Sequence, residues 1–281
     1  MKVLDIFPCP KALAASINAG VAIMDVLNSS FTVALKKDKS PLTLADKSAH
    51  EIKVDILSLN YSFPILREKG EVVPYAIHKE WSRYGLTDPL NGTKEFVSKN
   101  GEFTVNISLS ENVSPISGVI YLPTSGSLYF GNLQYGSYLI PSCSAGLDNL
   151  RHSDFCKLKE RSSINQPLLV GSKSHGSELF DSYLNELKSR ESNVQFLPFG
   201  SSLNFRKIAA GKANLYLRVG TTMEWDTTAG DAICHSLCII ILDMENKCQS
   251  RYNKRDLPNL HFLIDNRKIQ INRLCNLPSV G

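Results

Sequence analysis

The sequence predicts an α/β protein in two halves, the first built on an antiparallel sheet and the second on alternating strands and helices. Three observations carry this. Residues 102–109 alternate strictly, with Phe103, Val105, Ile107 and Leu109 on one side and Thr104, Asn106 and Ser108 on the other, which is the period of a strand. Two further runs, Ile116 to Leu122 and Ser127 to Phe130, follow across turns carrying Pro and Gly, and strands joined by short turns pair antiparallel. Beyond residue 166, strand-like and helix-like patterns take turns.

Taken in chain order, Pro10 suits the first turn of a helix, and Leu13, Ile17, Val21, Met24 and Leu27 recur at helical spacing, so a helix is expected over 11–28. Ser40-Pro41 marks a turn before a second helix starting near Thr43, with Ala45, Ala49, Ile52 and Ile56 as its apolar face. After the strands, residues 141–166 lose periodicity and read as a connection, dividing the chain into 1–145 and 146–281. Strands at 167–171 and 215–219 and helices at 178–190 and 203–211 complete the second half.

At 281 residues the chain can bury a substantial core. Its formal charge of +4 is spread thinly, although Lys36 to Lys39 and Lys157 to Arg161 are locally positive; this fits small anions and argues against a nucleic-acid polymer. Seven scattered cysteines without a Cys-x-x-Cys pair suggest neither a disulfide framework nor structural zinc, so a reducing cytoplasm is expected. Asp5, Pro8 and Pro10 interrupt the start before it could serve as a secretion signal, and the longest purely apolar stretch, Leu237 to Leu242, is too short to span a bilayer.

The chemistry concentrates in Asp88-Pro-Leu-Asn-Gly-Thr93 and Trp225-Asp-Thr-Thr-Ala-Gly-Asp231. Each is an acidic turn beside an expected helix start, where a hard cation and a phosphate can be held together. Asp88 is expected at a strand end, with Pro89 breaking the strand and Gly92 and Thr93 opening a helical turn. Structural readings stand beside these: Asn91-Gly92 is a hairpin signal, Thr43-x-x-Asp46 is a capping box, Asp226 suits an N-cap, and Glu68 suits a solvated loop.

Asp88-Pro-Leu-Asn-Gly-Thr-Lys-Glu-Phe96, Asn100-Gly-Glu-Phe-Thr-Val-Asn-Ile107 and Trp225-Asp-Thr-Thr-Ala-Gly230 together resemble the inositol monophosphatase superfamily, in its 3'(2'),5'-bisphosphate nucleotidase branch. The likeness takes in Asp38 to Asp46 and Pro64 to Glu68 and runs to Tyr252-Asn253. It implies a layered α-β-α-β-α sandwich, with an antiparallel sheet in the N-terminal half and a smaller mixed sheet in the C-terminal half. It also implies a Mg²⁺-dependent phosphatase that removes the 3'-phosphate of 3'-phosphoadenosine 5'-phosphate. Carried over position by position, Glu68, Asp88 and the Leu90 carbonyl would hold one cation, and Asp88, Asn91 and Asp226 a second. Thr93 and Asp46 would orient and deprotonate the attacking water. Gly92, Thr93, Ser174, His175, Gly200, Ser201, Asn204 and Arg218 would contact the nucleotide. Such proteins occur as monomers and as dimers, which leaves a homodimer open.

The chain departs from this pattern where it matters. Asn91 stands for a usual Asp, Lys69 for a usual Glu and Asn204 for a usual Lys, and Cys234 to Ile239 lacks a glycine common there. The first two changes shift the local charge by about three units against cations. An amide oxygen can still ligate a hard cation, and Lys207 lies one helical turn from Asn204. Cys234 and Cys238, spaced by four, read as helix core. Two outcomes follow: a phosphatase of weakened activity, or a silenced relative that binds a nucleotide or another anion without turnover.

Overall fold

The computed structural model describes residues 10–29, 33–35, 41–68, 71–143, 146–159, 167–171, 178–190, 193–200 and 202–266. Helices α1 (Pro10–Leu27) and α2 (Leu44–Asn60) flank a short pair, β1 (Val33–Leu35) and β2 (Pro41–Thr43). Among the described residues, the first sheet has seven strands in chain order: β3 (Ile65–Arg67), β4 (Arg83–Asn91), β5 (Thr104–Glu111), β6 (Ser114–Leu122), β7 (Ser127–Asn132), β8 (Gly136–Ile140) and β9 (Cys156–Lys157). It is antiparallel apart from β3, which lies parallel to β4. Two short helices, α3 (Tyr75–His78) and α4 (Thr93–Val97), flank β4 in the chain.

The second half holds β10 (Leu168–Gly171), α5 (Glu178–Arg190), β11 (Gln195–Pro198), α6 (Leu203–Ala209), β12 (Leu215–Arg218), β13 (Thr222–Met223), α7 (Glu224–His235), β14 (Ile241–Asp243), β15 (Cys248–Gln249), β16 (Pro258–Asn259) and β17 (Phe262–Asp265). Six of these strands form a mixed sheet in the order β11-β10-β12-β17-β14-β15, parallel at the β11-β10-β12 end and antiparallel beyond it. β13 pairs with β16 apart from it.

Three apolar clusters stack these elements into five layers. Leu13, Ile17 and Ile23 of α1, with Ala45, Ala49 and Leu57 of α2, pack on Phe103, Val105, Ile107 and Val119 of the first sheet. The other face of that sheet meets α6 and α7, which meet the second sheet through Phe205, Ile233, Tyr216 and Phe262. Phe180, Tyr183 and Leu187 of α5 then close the far face of the second sheet. Burying one such Leu or Phe contributes roughly 1.5–3 kcal/mol. The layered sandwich expected from the resemblance is therefore the fold observed.

The strands also explain where sequence and structure differ. The polar side of β5, including Thr104, Asn106 and Ser108, is buried, because α7 lies across it. α7 comes close enough that a Cβ at Gly118 would sit 2.2 Å from the Ala229 carbonyl oxygen. Pro89 does not end β4. Asp88 pairs with Asn106 and Asn91 with Thr104, so Pro89 and Leu90 together face a single residue in a β-bulge, where a missing N–H is tolerated. β9 pairs with β8, so the first sheet takes strands up to Lys157 and extends past the boundary expected at 145. α1 has the length and mean hydropathy (1.2) of a membrane span, yet half of it is buried inside the fold, as a core helix is.

Candidate active site

The bulge in β4 brings Asp88, Leu90 and Asn91 together, and Asn91 with Gly92 beyond it borders the pocket. Asp88 is buried, and its Oδ1 accepts the Leu90 N–H at 3.0 Å, which holds the carboxylate against its own strand. Gly92 follows at φ 94, a left-handed conformation that a side chain would strain, and turns the chain into α4. Thr93, the first residue of α4, has its Oγ1 3.3 Å from both the Leu90 carbonyl and Asp46 Oδ1, and its single proton can be donated to one of them.

Asp46 sits in the first turn of α2. Its Oδ2 accepts the Thr43 N–H and hydroxyl, each at 2.8 Å, so the capping box read from the sequence is real. That cap leaves Oδ1 aimed at Thr93, and the structural and functional readings of Asp46 hold together. The second acidic turn arrives on α7: the N-cap is Met223 and not Asp226, which lies inside the first turn, where its Oδ2 accepts the Met223 N–H at 2.7 Å while Oδ1 faces Asn91.

Asn91 joins the two halves. Its Nδ2 donates to Asp88 Oδ2 at 2.9 Å and to Asp226 Oδ1 at 3.2 Å, while its Oδ1 accepts the Ser202 N–H at 2.8 Å and the Ser202 hydroxyl at 3.0 Å. This differs from the ligand role expected of its oxygen. Among the described residues, no three His, Cys, Asp or Glu side chains are gathered so as to hold a metal ion by themselves. The amide nitrogen stands between Asp88 and Asp226 instead.

Burial pushes the Asp88 carboxyl well above the usual carboxylate range; the charges of Glu68 and Asp226 add to this, and Lys53 and the Asn91 amide oppose it. Asp226 is raised to about 6, again chiefly by burial, with the Met223 N–H opposing and Glu68 adding. Glu68 thus acts on both aspartates. A hard cation would relieve such a cluster of carboxylates.

Above this floor opens a cleft of about 690 Å³ of open volume, solvent included, bordered by Gly92, Lys94, Glu95, Gly200, Arg218 and Thr222, with Phe205 and Tyr216 behind. Lys94 and Arg218 place cations at the rim of an acidic pocket. Arg218 donates from Nη2 to the Thr221 carbonyl at 3.4 Å, and its Nε is buried with no hydrogen-bond partner among the described residues. Gly200 borders the cleft, but its N–H is spent on Glu102 Oε2 at 3.1 Å. Asn204 is buried, donates to the Phe199 carbonyl at 3.3 Å and does not border the cleft, so the nucleotide contact expected of it is not made from this position. Lys207 lies over the Phe199 ring, 4.7 Å from its centroid. Lys69, Ser174, His175 and Ser201 lie outside the described residues.

Lys53 and Asn106 are assigned no site role by the sequence, and Ser202 enters it only within Gly200-Ser201-Ser202, a helix start suited to a phosphate. Lys53 is buried and acts on Asp88; it lies two helical turns from Asp46 on α2, a spacing that places both on one face. Ser202 orients Asn91. Asn106, opposite Asp88 in the β4–β5 register, donates to Ser202 Oγ at 2.6 Å, and the strict alternation of β5 had already put it on the polar face.

This architecture and this pocket define a metal-type phosphatase class, and the chain belongs to the inositol monophosphatase family, whose model matches residues 9–278. Its relatives narrow the comparison. It is 36% identical over 233 residues to the 3'(2'),5'-bisphosphate nucleotidase CysQ of Shigella flexneri, covering 82% of this chain and 88% of that one. It is 41% identical over 222 residues to the protein of the same name from Buchnera aphidicola, with 77% of each chain covered. The crystal structure of CysQ from Bacteroides thetaiotaomicron superposes with a TM-score of 0.81 at 35% identity, covering 92% of this chain and 97% of that one.

Proposed function

We propose that the protein is a Mg²⁺-dependent phosphomonoesterase that converts 3'-phosphoadenosine 5'-phosphate to AMP and phosphate in the cytoplasm. The observation that carries this is the hydrogen-bonded meeting of Asp46, Asp88, Thr93 and Asp226, from four separate elements, beside a cleft that Asp226 and Asn91 border together with Lys94 and Arg218. Glu68, Asp88 and the Leu90 carbonyl would hold the cation. When bound, it supplies positive charge against the phosphoryl oxygens.

The chain's own groups do the rest. Thr93 gives its one hydroxyl proton to Asp46, its lone pairs accept from the attacking water, and Asp46 receives the water's proton through Thr93; the 3.3 Å contact between Thr93 Oγ1 and Asp46 Oδ1 supports this reading. The guanidinium of Arg218 and the ammonium of Lys94 suit the second phosphate of a bisphosphate nucleotide. This is also why a small anionic nucleotide fits the cleft better than a neutral ligand.

The test is phosphate release from 3'-phosphoadenosine 5'-phosphate across a Mg²⁺ titration, with inositol monophosphate as comparator. Turnover of the nucleotide that EDTA abolishes is the expected result. Nucleotide binding without phosphate release at any Mg²⁺ concentration would overturn it in favour of a binding protein, the reading that the Asn91 amide between Asp88 and Asp226 favours.

A further inference from the structure

The two ends of the Asn91 amide are assigned by partners that cannot exchange roles. The Ser202 backbone N–H can only donate, and it meets Oδ1 at 2.8 Å, joined by the Ser202 hydroxyl at 3.0 Å. Both protons of Nδ2 then go to carboxylate oxygens, of Asp88 at 2.9 Å and Asp226 at 3.2 Å. Turning the amide over would set its oxygen against two carboxylates and its nitrogen against an N–H, losing the bonds to Asp88, Asp226 and the Ser202 N–H and leaving only the Ser202 hydroxyl, which can accept as well as donate.

Ser202 is itself fixed in place. Its hydroxyl lies 3.1 Å from the Asp226 carbonyl and accepts from Asn106 Nδ2 at 2.6 Å, and Asn106 Oδ1 accepts the Thr104 hydroxyl at 3.1 Å. All of these groups are buried or nearly so. The orientation of the amide is therefore fixed by both halves of the molecule.

We propose that Asn91, oriented by Ser202, sets its amide NH₂ where Asp88 and Asp226 would otherwise share a second cation, so that the chain holds one divalent cation fewer than it would with a carboxylate at position 91. This rests on the metal-dependent reading above and deepens it. A carboxylate at 91 could accept the same Ser202 bonds through one oxygen, yet it would offer its neighbours no proton and add a third negative charge. The amide satisfies both aspartates without an ion and blocks the space an ion needs.

The test counts Mn²⁺ bound per full-length chain by equilibrium dialysis, alongside thermal unfolding in EDTA and in Mn²⁺. Asn91→Asp is expected to bind one more Mn²⁺ than the native chain, to melt below it in EDTA, and to gain more from Mn²⁺. Asn91→Ala, which empties the position without adding charge, is expected to show the same extra ion with lower affinity, and it carries the test if Asn91→Asp fails to fold. Equal counts in native and variant chains overturn the proposal. Phosphate release measured on the same samples separates the two readings: release with equal counts sinks this proposal alone, and unequal counts without release sink the phosphatase and leave the amide's role standing.

Discussion

α7 carries two aspartates less than two turns apart, one half-buried and one fully buried, that meet different fates. Asp226, at its first turn, borders the cleft and is touched by the Asn91 amide from β4 as well as by the N–H of Met223, the cap residue of its own helix. Asp231, in the middle of the helix, is sealed in the interior. Its Oδ2 accepts the Tyr252 hydroxyl at 2.8 Å, and its Oδ1 has no hydrogen-bond partner among the described residues. Burial raises both carboxyls, Asp226 to about 6 and Asp231 to about 7. The more perturbed acid is thus the one farther from the chemistry. What marks a functional carboxylate here is convergence of charge and donors beside open space, and a displaced pKa alone does not identify one.

The comparison breaks if the two aspartates respond alike to loss of charge. Asp226→Asn is expected to remain folded and to lower phosphate release by about a thousandfold, on the scale of removing one preorganised electrostatic contact to a transition state. An effect below tenfold in kcat/KM, measured on a variant with a native-like melting profile, would remove Asp226 from the site. Thr93→Ala comes next, at about a hundredfold in kcat with little change in KM, since it takes away a proton relay and leaves the rim cations of the cleft untouched. A change confined to KM would assign Thr93 to binding instead.

Asp231→Asn should act in the opposite sense. A carboxyl raised from 3.8 to about 7 in the folded chain holds a proton that the unfolded chain has already released. Its contribution is therefore present at low pH and is lost as pH rises from 4 through 7, leaving an uncompensated buried charge above that. An amide there still accepts from Tyr252 and never ionises. The variant is expected to gain about 1–3 kcal/mol at pH 8, to lose part of the decline in stability between pH 4 and 7, and to keep its activity. Urea unfolding at several pH values reads this directly, and a destabilised variant at pH 8 would show that Asp231 is ionised and satisfied.

Much of this was legible in the sequence because it depends on local pattern. The amphipathic run over 178–190 found the helix α5, and the Thr43–Asp46 spacing gave the cap of α2. The alternation of β5 found the strand, yet it could not show that the polar side faces another layer, since the partner, α7, lies more than a hundred residues away. The bulge at Pro89 was read as a strand end for a related reason. A proline forbids one ladder bond, and only the pairing of Asn91 with Thr104 beyond it shows that the ladder resumes. In the pocket, the acidic residues came from the family likeness, whereas Ser202 and Lys53 act through contacts that no spacing encodes, apart from the shared helix face of Lys53 and Asp46.

The closing turn of α7 gives the smallest effect and the cleanest link from sequence to backbone. The sequence suggests that Cys234 and Cys238 share a helix face in the core, but the helix ends at His235 and only Cys234 is buried. Cys238 instead adopts φ 60; its N–H donates to the His235 carbonyl at 2.9 Å, and the Ile239 N–H reaches back to the Cys234 carbonyl at 3.0 Å. Those two bonds form a Schellman closure, in which the left-handed residue is usually glycine because any Cβ strains it. The missing family glycine therefore has a backbone meaning. Cys238→Gly should relieve that strain and raise stability by about 1 kcal/mol with no change in phosphate release, since Cys238 is exposed and outside the cleft. Cys238→Ala, which removes the thiol but keeps the Cβ, should be close to neutral in the same unfolding experiment; equal gains from both would assign the effect to the sulfur and not to the turn.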